Sequence, residues 1–468
     1  MNAKLKIRLT VILVLLLSLS LLTTYSSAQN SIQMLGTTER VSVASDQTQA
    51  DDYSYSPSIS ADGRYVAFES AAANLVAGDT NAYCDTDGDN IFDDNCPDVF
   101  VHDRITGVTQ RVSVATGGTQ GNDGSYSPSI SADGRYVAFD SWASNLVVGD
   151  TNGAWDVFVH DRATGETTLV SVASDATQGN GNSWSNAISA DGRYVAFQSL
   201  ANNLVGGDAN GNQDVFVHER ASGVTTLVSV ASDGTQGNAD SYTPSISADG
   251  RYVAFGSSAN NLVALDTNGF GDIFVHDREM GETQRVSVAT DGTQGNSVSL
   301  HPSISADGNC VAFDSYASNL DPWDSNHRQD VFVHDRATGV TTRDSVDSGG
   351  LQGDADSNYP SISTDGRYVA FQSFAANLVV GDANWTQDVF EHDRATGETT
   401  LVSIASDGTQ GDAVSYSPSV SASGRYVAFE SAAANLVALD TNDAEDVFVN
   451  DQGAAPFPYR AYLPITTR

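Results

Sequence analysis

Short runs of alternating apolar and polar residues follow one another along most of the chain and predict β-strands. The segment PSISADG ends in an Asp-Gly turn, and RYVAF follows directly as a second strand. DVFVHD, rich in β-branched and aromatic residues, predicts a third strand. After a turn at ATGETT, LVSVAS predicts a fourth strand. The pattern predicts an all-β protein built from four-stranded antiparallel units.

This four-strand unit repeats along the sequence. The motif SADGRYVAF or a variant of it begins at Ser60, Ser131, Ser189, Ser247, Ser305, Ser363 and Ser421. The first spacing is 71 residues and the other five are 58, because the first unit carries a 13-residue insertion. A long fixed period marks a repeat architecture. Seven four-stranded units predict a seven-bladed β-propeller.

The two ends of the repeat indicate how the ring closes. ERVSVAS at residues 39–45 matches a fourth strand, whereas the last unit ends after its third strand at residues 446–451. We therefore expect the N-terminal strand to complete blade 7, which removes exposed sheet edges. The propeller is assigned to residues 39–453, with the insertion at about residues 82–97.

The repeated Ser-x-Asp-Gly-x-x-x-Ala-Phe core resembles the repeat of TolB-like propellers, which are relatives of the WD-repeat propellers. The resemblance covers residues 39–451, roughly all seven units. It implies the propeller fold. Members of this broad group include periplasmic binding scaffolds and propeller domains attached to peptidases, so the resemblance says less about function.

The sequence outside the repeat predicts export. Lys4, Lys6 and Arg8 precede an apolar run at residues 11–22, and small residues lead to an expected cleavage after Ala28. This pattern is typical of a signal peptide at residues 1–28, with a membrane anchor as the alternative. Residues 29–38 are expected to form a linker. Residues 454–468 form a C-terminal tail that resembles Tyr-Leu-Pro tails of secreted bacterial proteins, and it either packs on the propeller or attaches it to the cell envelope. We expect a secreted, cell-surface or periplasmic protein.

The net charge of −37 narrows the classes of partner. Such a surface repels nucleic acid and anionic membranes, so we expect no nucleic-acid partner and no membrane insertion after signal cleavage. It attracts cations. An acidic surface that serves only solubility or adaptation to salt is the alternative.

The insertion in blade 1 is the strongest metal-binding signal. It reads CDTDGDNIFDDNCP, and carboxylates at alternate positions beside a glycine suit an oxygen-loving cation such as Ca²⁺. The segment resembles the calcium repeats of thrombospondin type 3 modules. By that resemblance Asp85, Asp87, Asp89 and Asp93 would be ligands through their carboxylates, and Ile91 through its carbonyl oxygen. Cys84 and Cys96 bracket the loop and are the natural disulfide pair, which leaves Cys310.

A weaker metal signal recurs in every blade as Asp-x-Asn-x-x-x-Asp. Three oxygen-bearing side chains before a strand would allow one cation per blade, whereas Asp and Asn also form local turns with the backbone. The turn is the favoured interpretation. The motif comprises Asp150, Asn152 and Asp156; Asp208, Asn210 and Asp214; Asp266, Asn268 and Asp272; Asp324, Asn326 and Asp330; Asp382, Asn384 and Asp388; Asp440, Asn442 and Asp446; and, split by the insertion, Asp79, Asn81 and Asp98.

Two sets of long polar connections, between strands two and three and between strands four and one, should emerge on the same face. Long loops on a rigid scaffold are common binding elements. Candidate contact residues on this face are Trp155, His301, Trp323, His327 and Trp385, although aromatic rings there also fill gaps between loops. The histidines of the third strands are structural, since they recur in six of seven blades.

No single set of residues stands out as a reaction centre. We therefore expect a non-catalytic, calcium-stabilised scaffold that binds a protein or a glycan. The alternatives are an extracellular propeller-type polysaccharide lyase or hydrolase, and a structural or adhesion component of the cell surface.

Overall fold

The computed structural model describes residues 36–81 and 96–453, and these contain 28 β-strands and no helix. The signal peptide, most of the predicted linker, the C-terminal tail and all but the end of the insertion lie outside the described residues. The strands form seven antiparallel four-stranded sheets, which are the seven blades. The predicted fold class is confirmed.

The strands of blades 1 to 4 have the following bounds. Blade 1 contains β2 (Ser54–Ile59), β3 (Tyr65–Ser70), β4 (Asp98–Asp103) and β5 (Val108–Arg111). Blade 2 contains β6 (Ser125–Ile130), β7 (Tyr136–Ser141), β8 (Asp156–Asp161) and β9 (Glu166–Leu169). Blade 3 contains β10 (Ser183–Ile188), β11 (Tyr194–Ser199), β12 (Asp214–Glu219) and β13 (Val224–Leu227). Blade 4 contains β14 (Ser241–Ile246), β15 (Tyr252–Ser257), β16 (Asp272–Asp277) and β17 (Glu282–Arg285).

Blades 5 to 7 repeat the order. Blade 5 contains β18 (Ser299–Ile304), β19 (Cys310–Ser315), β20 (Asp330–Asp335) and β21 (Val340–Arg343). Blade 6 contains β22 (Ser357–Ile362), β23 (Tyr368–Ser373), β24 (Asp388–Asp393) and β25 (Glu398–Leu401). Blade 7 contains β26 (Ser415–Val420), β27 (Tyr426–Ser431), β28 (Asp446–Asp451) and the N-terminal strand β1 (Thr37–Arg40).

The ring closes as predicted. Strand β1 pairs antiparallel with β28, with Glu39 opposite Val449. Backbone hydrogen bonds also join the turns after the first strands from blade to blade. The cycle runs from Ala61 to Ala132, Ala190, Ala248, Ala306, Thr364 and Ala422, and the N–H of Ala422 returns to the carbonyl oxygen of Ala61 at 3.1 Å.

The fourth strand lies earlier in each unit than predicted. Its residues are ETTL or an equivalent, not LVSVAS. The turn before it tightens because Asp161 accepts the N–H of Gly165 at 2.7 Å, so pairing begins at Glu166. The chain then leaves the sheet where Ser171 turns inward and its hydroxyl donates to Asp156 at 2.5 Å.

The first strand lines the centre of the ring and contains a bulge. In six blades the residue before the proline of the first strand has a left-handed φ, and in blade 3 the residue before Asn186 does. These φ values are 46–54°. These residues are Ser56, Ser127, Ser185, Thr243, His301, Tyr359 and Ser417. The register of the first pair of strands shifts there. The bulge turns these residues toward the central axis, where they line one cavity.

Apolar residues pack between neighbouring blades in seven clusters. In blade 1, Phe68 and Phe100 are fully buried, with ring centroids 5.9 Å apart. The third-strand histidines are buried and structural. His160 Nδ1 lies 2.9 Å from Thr167 Oγ1, and Asn450 makes the equivalent contact to Thr38 in blade 7 at 2.8 Å.

Candidate functional site

The long connections form one face of the propeller. Because strands alternate in direction, the connections between strands two and three emerge beside those between strands four and one. In blade 3 these are residues 200–213 and 228–240. We call this side the long-loop face.

The Asp-Asn-Asp loops on this face form a hydrogen-bonded network. In blade 2, Gln178 Nε2 donates to Asp150 Oδ1 and to Asp156 Oδ2, each at 2.8 Å. Asn152 Nδ2 donates to Asp156 Oδ2 at 2.8 Å, and its Oδ1 accepts the N–H of Ala154 at 2.9 Å. The asparagine oxygen is therefore engaged in a local turn, and an amide nitrogen faces the carboxylate.

These glutamines were not predicted from the sequence as partners of the Asp-Asn-Asp loops. The available signal was that Thr-Gln recurs in phase with the Asp-Asn-Asp loops. The network recurs in blade 3, where Gln236 bonds to Asp208 and Asp214 and Asn210 bonds to Asp214. It ties together the two sets of long connections within a blade.

An arginine at the end of the fourth strand distinguishes two kinds of loop. In blade 4, Arg285 Nη1 lies 3.1 Å from Asp266 and 3.3 Å from Asp272, and Asn268 donates to Asp272 at 2.9 Å. Arginines occupy this position in blades 1, 5 and 7 as Arg111, Arg343 and Arg40. Blades 2, 3 and 6 have Leu169, Leu227 and Leu401 instead. Burial raises the pKa of the last aspartate in both kinds of loop, to about 6 for Asp156 and Asp388, which lack the guanidinium, and also to about 6 for Asp98 and Asp330, which face it.

These contacts account for the loops without a metal ion. Within residues 36–81 and 96–453, no group of three or more His, Cys, Asp or Glu side chains is arranged to hold one. Calcium binding by the repeated loops stays a prediction. The favoured calcium site also stays a prediction, because Asp85, Asp87, Asp89, Ile91 and Asp93 lie outside the described residues.

The cysteines occupy two different environments. Cys96 is buried and disulfide-bonded, and its predicted partner Cys84 lies outside the described residues. Cys310 has a free thiol and stands where the other blades have tyrosine. Arg394 lies against it, with Nη1 3.7 Å from Sγ, and Nε of the same arginine lies 3.0 Å from Asp344 Oδ2.

The predicted aromatic contact residues differ in exposure. Trp155 is half-buried, because it stacks on Tyr126 at 5.1 Å and meets the edge of Trp142 at 5.6 Å. It fills a gap between loops. Trp323 and Trp385 are 82% and 86% exposed.

Two of the exposed side chains occupy backbone positions that favour glycine. His327 and Trp385 have φ of 56° and 59°, whereas Gly153 and Gly211 occupy the equivalent position in blades 2 and 3. A side chain in this left-handed region costs about 1 kcal/mol or more relative to glycine. No packing compensates for Trp385, since its ring is exposed.

His301 lies in β18, not in a long loop as predicted, and it lines the central cavity. The cavity has a volume of about 340 Å³ and is lined by first-strand residues of all seven blades. His301 Nδ1 donates to Asp314 Oδ1 at 2.9 Å, and its ring stacks on Tyr359 at 3.9 Å. Asp314 is fully buried and also accepts N–H groups from Gln329 and from the backbone of Tyr359.

Asp314 belongs to a ring of polar side chains that join neighbouring blades. Each ring position is the last but one residue of the second strand, and, except at Gly256, its side chain accepts the bulge N–H of the next blade; Glu430 accepts from Ser56 and Glu69 accepts from Ser127, each at 2.7 Å. The ring positions are Glu69, Asp140, Gln198, Gly256, Asp314, Gln372 and Glu430. This ring was not predicted from the sequence, although the residue after the VAF of each repeat varies among Glu, Asp, Gln and Gly.

No helix in the described part of the chain is long and apolar enough to cross a membrane.

No protein-family model matches the chain, and no curated protein matches it.

Several solved structures resemble this one at low sequence identity. The β-propeller domain of the Trilobed protease from Pyrococcus furiosus aligns with a TM-score of 0.52 and 13% identity, over 89% of this chain and 100% of that chain. An oligogalacturonate lyase in complex with manganese aligns with a TM-score of 0.50 and 13% identity, over 88% of this chain and 92% of that chain. TolB from Acinetobacter baumannii is also similar, at 17% identity and a TM-score of 0.38, over 65% of this chain and 58% of that chain. The likeness to the protease domain and to the lyase shows the fold, a β-propeller scaffold, and not the function.

Proposed function

We propose that this propeller is a secreted, calcium-stabilised, non-catalytic scaffold that binds a protein or a glycan on its long-loop face. The observation that carries the proposal is the exposure of Trp323 and Trp385 at loop positions that other blades fill with glycine. Trp385 also has a left-handed φ of 59°, and backbone strain at an exposed aromatic residue points to a role on the surface. Tryptophan rings are common anchors in binding interfaces.

The contact surface that we propose lies on blades 5 and 6. Tyr316 and Phe374, which follow the second strands of these blades, are 45% and 51% exposed. Together with Trp323, Trp385 and His327 they place apolar rings on adjacent blades of one face. A ligand that stacks on rings and carries no strong negative charge suits this surface, since the chain itself is strongly acidic.

The binding test compares two double variants in the loops between strands two and three; Trp323, Leu265 and Leu439 share one position of the repeat, and Trp385 lies four positions later in its own loop. Trp323→Gly with Trp385→Gly removes the proposed anchors, and Leu265→Gly with Leu439→Gly removes two leucines, each 85% exposed, from blades 4 and 7. On arrays of polysaccharides and extracellular proteins, we expect the tryptophan variant to lose at least tenfold in affinity for any ligand of the wild type, and the leucine variant to lose little. Equal losses would refute the assignment to blades 5 and 6.

The same arrays address the enzyme alternative. New reducing ends or unsaturated products from any polysaccharide would replace the non-catalytic proposal with that of a lyase or hydrolase. The structural role would be favoured if the arrays show neither binding nor turnover and the full-length protein is retained on the cell envelope. That retention should then be lost when residues 454–468 are deleted.

Calcium is tested by thermal unfolding in EDTA followed by back-titration of Ca²⁺. A ligand at 100 times its dissociation constant stabilises the folded state by about 2.7 kcal/mol. We expect a rise in Tm that is lost in the variant Asp87→Ala with Asp89→Ala and kept in Asp208→Asn. No rise in the wild type would remove calcium from the proposal and leave the binding surface unaffected.

A further inference from the structure

Two side chains that line the central cavity, those of His301 and Ser417, keep a hydrogen-bond acceptor free. His301 Nδ1 lies 2.9 Å from Asp314 Oδ1, and in the tautomer that donates the Nδ1 hydrogen to this carboxylate Nε2 is an acceptor. Within the described ranges no residue bonds to this nitrogen, and the side chain is 25% exposed. Ser417 Oγ donates its hydrogen to Glu430 at 2.8 Å, so the oxygen lone pairs remain.

Three carboxyl groups stand close behind one side of this cavity without a basic partner. Glu430, Glu69 and Asp140 occupy consecutive blades of the ring, and no described arginine lies within ion-pair distance of them. Burial, with a contribution from Glu69, holds the pKa of Asp140 well above its usual range and raises that of Glu430 to about 7. Buried carboxyl groups in proteins are usually paired with a cation.

Two further polar atoms beside the cavity lack partners. Asn186 Oδ1 and Thr243 Oγ1 are buried and make no hydrogen bond to the described chain, and both residues line the cavity. Asn186 replaces the proline of the other six blades. Unsatisfied buried polar atoms are rare in folded proteins, and these two leave hydrogen-bonding capacity unused in the wall of the cavity.

We propose that the central cavity binds a cationic nitrogen group, an ammonium or a guanidinium, with His301 Nε2 and the serine hydroxyl oxygens as acceptors and with Glu69, Asp140 and Glu430 as carboxyl groups that ionise when the cation binds. An anion would oppose the ionisation of these carboxyl groups. A neutral sugar would gain no electrostatic attraction. Tyr359, which is 47% exposed, adds an aromatic ring at the same opening.

The cation has two sources that share this chemistry, a free polyamine and a basic side chain of a partner protein. The cavity is separate from Trp323 and Trp385, so its function does not depend on the proposed binding surface. The structure offers a conservative variant, because Gln198 and Gln372 already occupy the ring and accept the same backbone N–H at 2.7 and 2.8 Å. Glu69→Gln with Glu430→Gln therefore copies blades 3 and 6.

The experiment measures binding of spermidine, N-acetyl-arginine amide and glucose to the full chain by calorimetry in 150 mM salt. The control for net charge is Glu166→Gln with Glu398→Gln, two exposed residues beside the tight turns of the opposite face. We expect one cationic probe per chain. The ring variant and His301→Ala should each lose at least tenfold in affinity, while the control variant loses less than twofold.

Binding of spermidine alone would identify a free amine as the ligand, and binding of the arginine amide alone would identify a protein side chain. Equal weakening by the ring and control variants would show general attraction to an acidic surface and overturn the proposal. Equal binding of glucose, or no saturable binding at one site per chain, would also overturn it. Unchanged thermal unfolding of the ring variant ensures that lost affinity is not lost folding.

Discussion

Glu391 is a carboxyl group buried in an apolar interface, and replacing it should stabilise the protein. It lies in β24 opposite Ala370 and Thr400, its side chain is 6% exposed, and Oε2 has no partner among the described residues. Burial, with a smaller contribution from Asp393, raises its pKa well above the usual range. The other six blades have valine at this position: Val101, Val159, Val217, Val275, Val333 and Val449.

The magnitude follows from two terms. Removing a buried polar group that lacks a hydrogen bond recovers about 1–3 kcal/mol. The second term depends on pH, because the carboxyl of the unfolded chain ionises near 4.5 while the folded one stays protonated. Stability is then fully present below that pH and falls by about 1.4 kcal/mol per unit as pH rises toward the folded pKa. Glu391→Val should remove both terms.

The assay is urea unfolding of the wild type and of Glu391→Val at pH 4.5, 5.5 and 6.5. We expect a gain in unfolding free energy at pH 4.5 that increases at each higher pH. Glu398→Val is the matched control, since Glu398 is exposed in the same blade and valine occupies its position in blades 1, 3 and 5. The control should change by less than about 0.5 kcal/mol. A destabilised Glu391→Val, or a gain that does not depend on pH, would show that the carboxyl has a partner and refute the reasoning.

Other variants test the loops and the third-strand histidines. Gln178→Ala should lower the free energy of unfolding in urea by about 1–3 kcal/mol, because two carboxylates lose their shared donor. Gln294→Ala should lower it less, since Arg285 joins the two carboxylates in that blade. Equal losses would contradict the role assigned to Gln178. Burial lowers the pKa of His160 to about 4, so its contribution to stability is present above pH 6.5 and is lost as pH falls toward 4. His160→Asn, which copies Asn450, should therefore reduce the loss of stability between pH 6.5 and 4.5; an unchanged pH profile would contradict this.

The architecture could be predicted because the same turn and strand residues recur in every unit of the sequence. The Asp-Gly turns, the third strand and the phase of the two ends carry enough information for seven blades and ring closure. The fourth strand was misplaced because its start depends on the turn at Asp161 and its end on the inward turn of Ser171, both tertiary effects on a weak local pattern.

The candidate site was less predictable. The exposed rings of Trp323 and Trp385 could be proposed from the loops that carry them. The cavity could not, since a bulge at positions such as His301 creates it and residues of different blades line it. The burial of the carboxyl groups behind the cavity, such as that of Glu69, could not be predicted from the sequence, because it depends on the neighbouring blade.

Closure of blade 7 by β1 has a consequence for the timing of biosynthesis. Ser42 and Asp446, which bond across this closure, are 404 residues apart. At about 5–20 residues per second a ribosome needs roughly 20–80 s to make the intervening chain. Until then blades 1 to 6 can only form an open arc with two uncovered apolar flanks. A circular permutant that begins at Ser54 would make β26, β27, β28 and β1 consecutive, and the last blade would then assemble from one contiguous hairpin series.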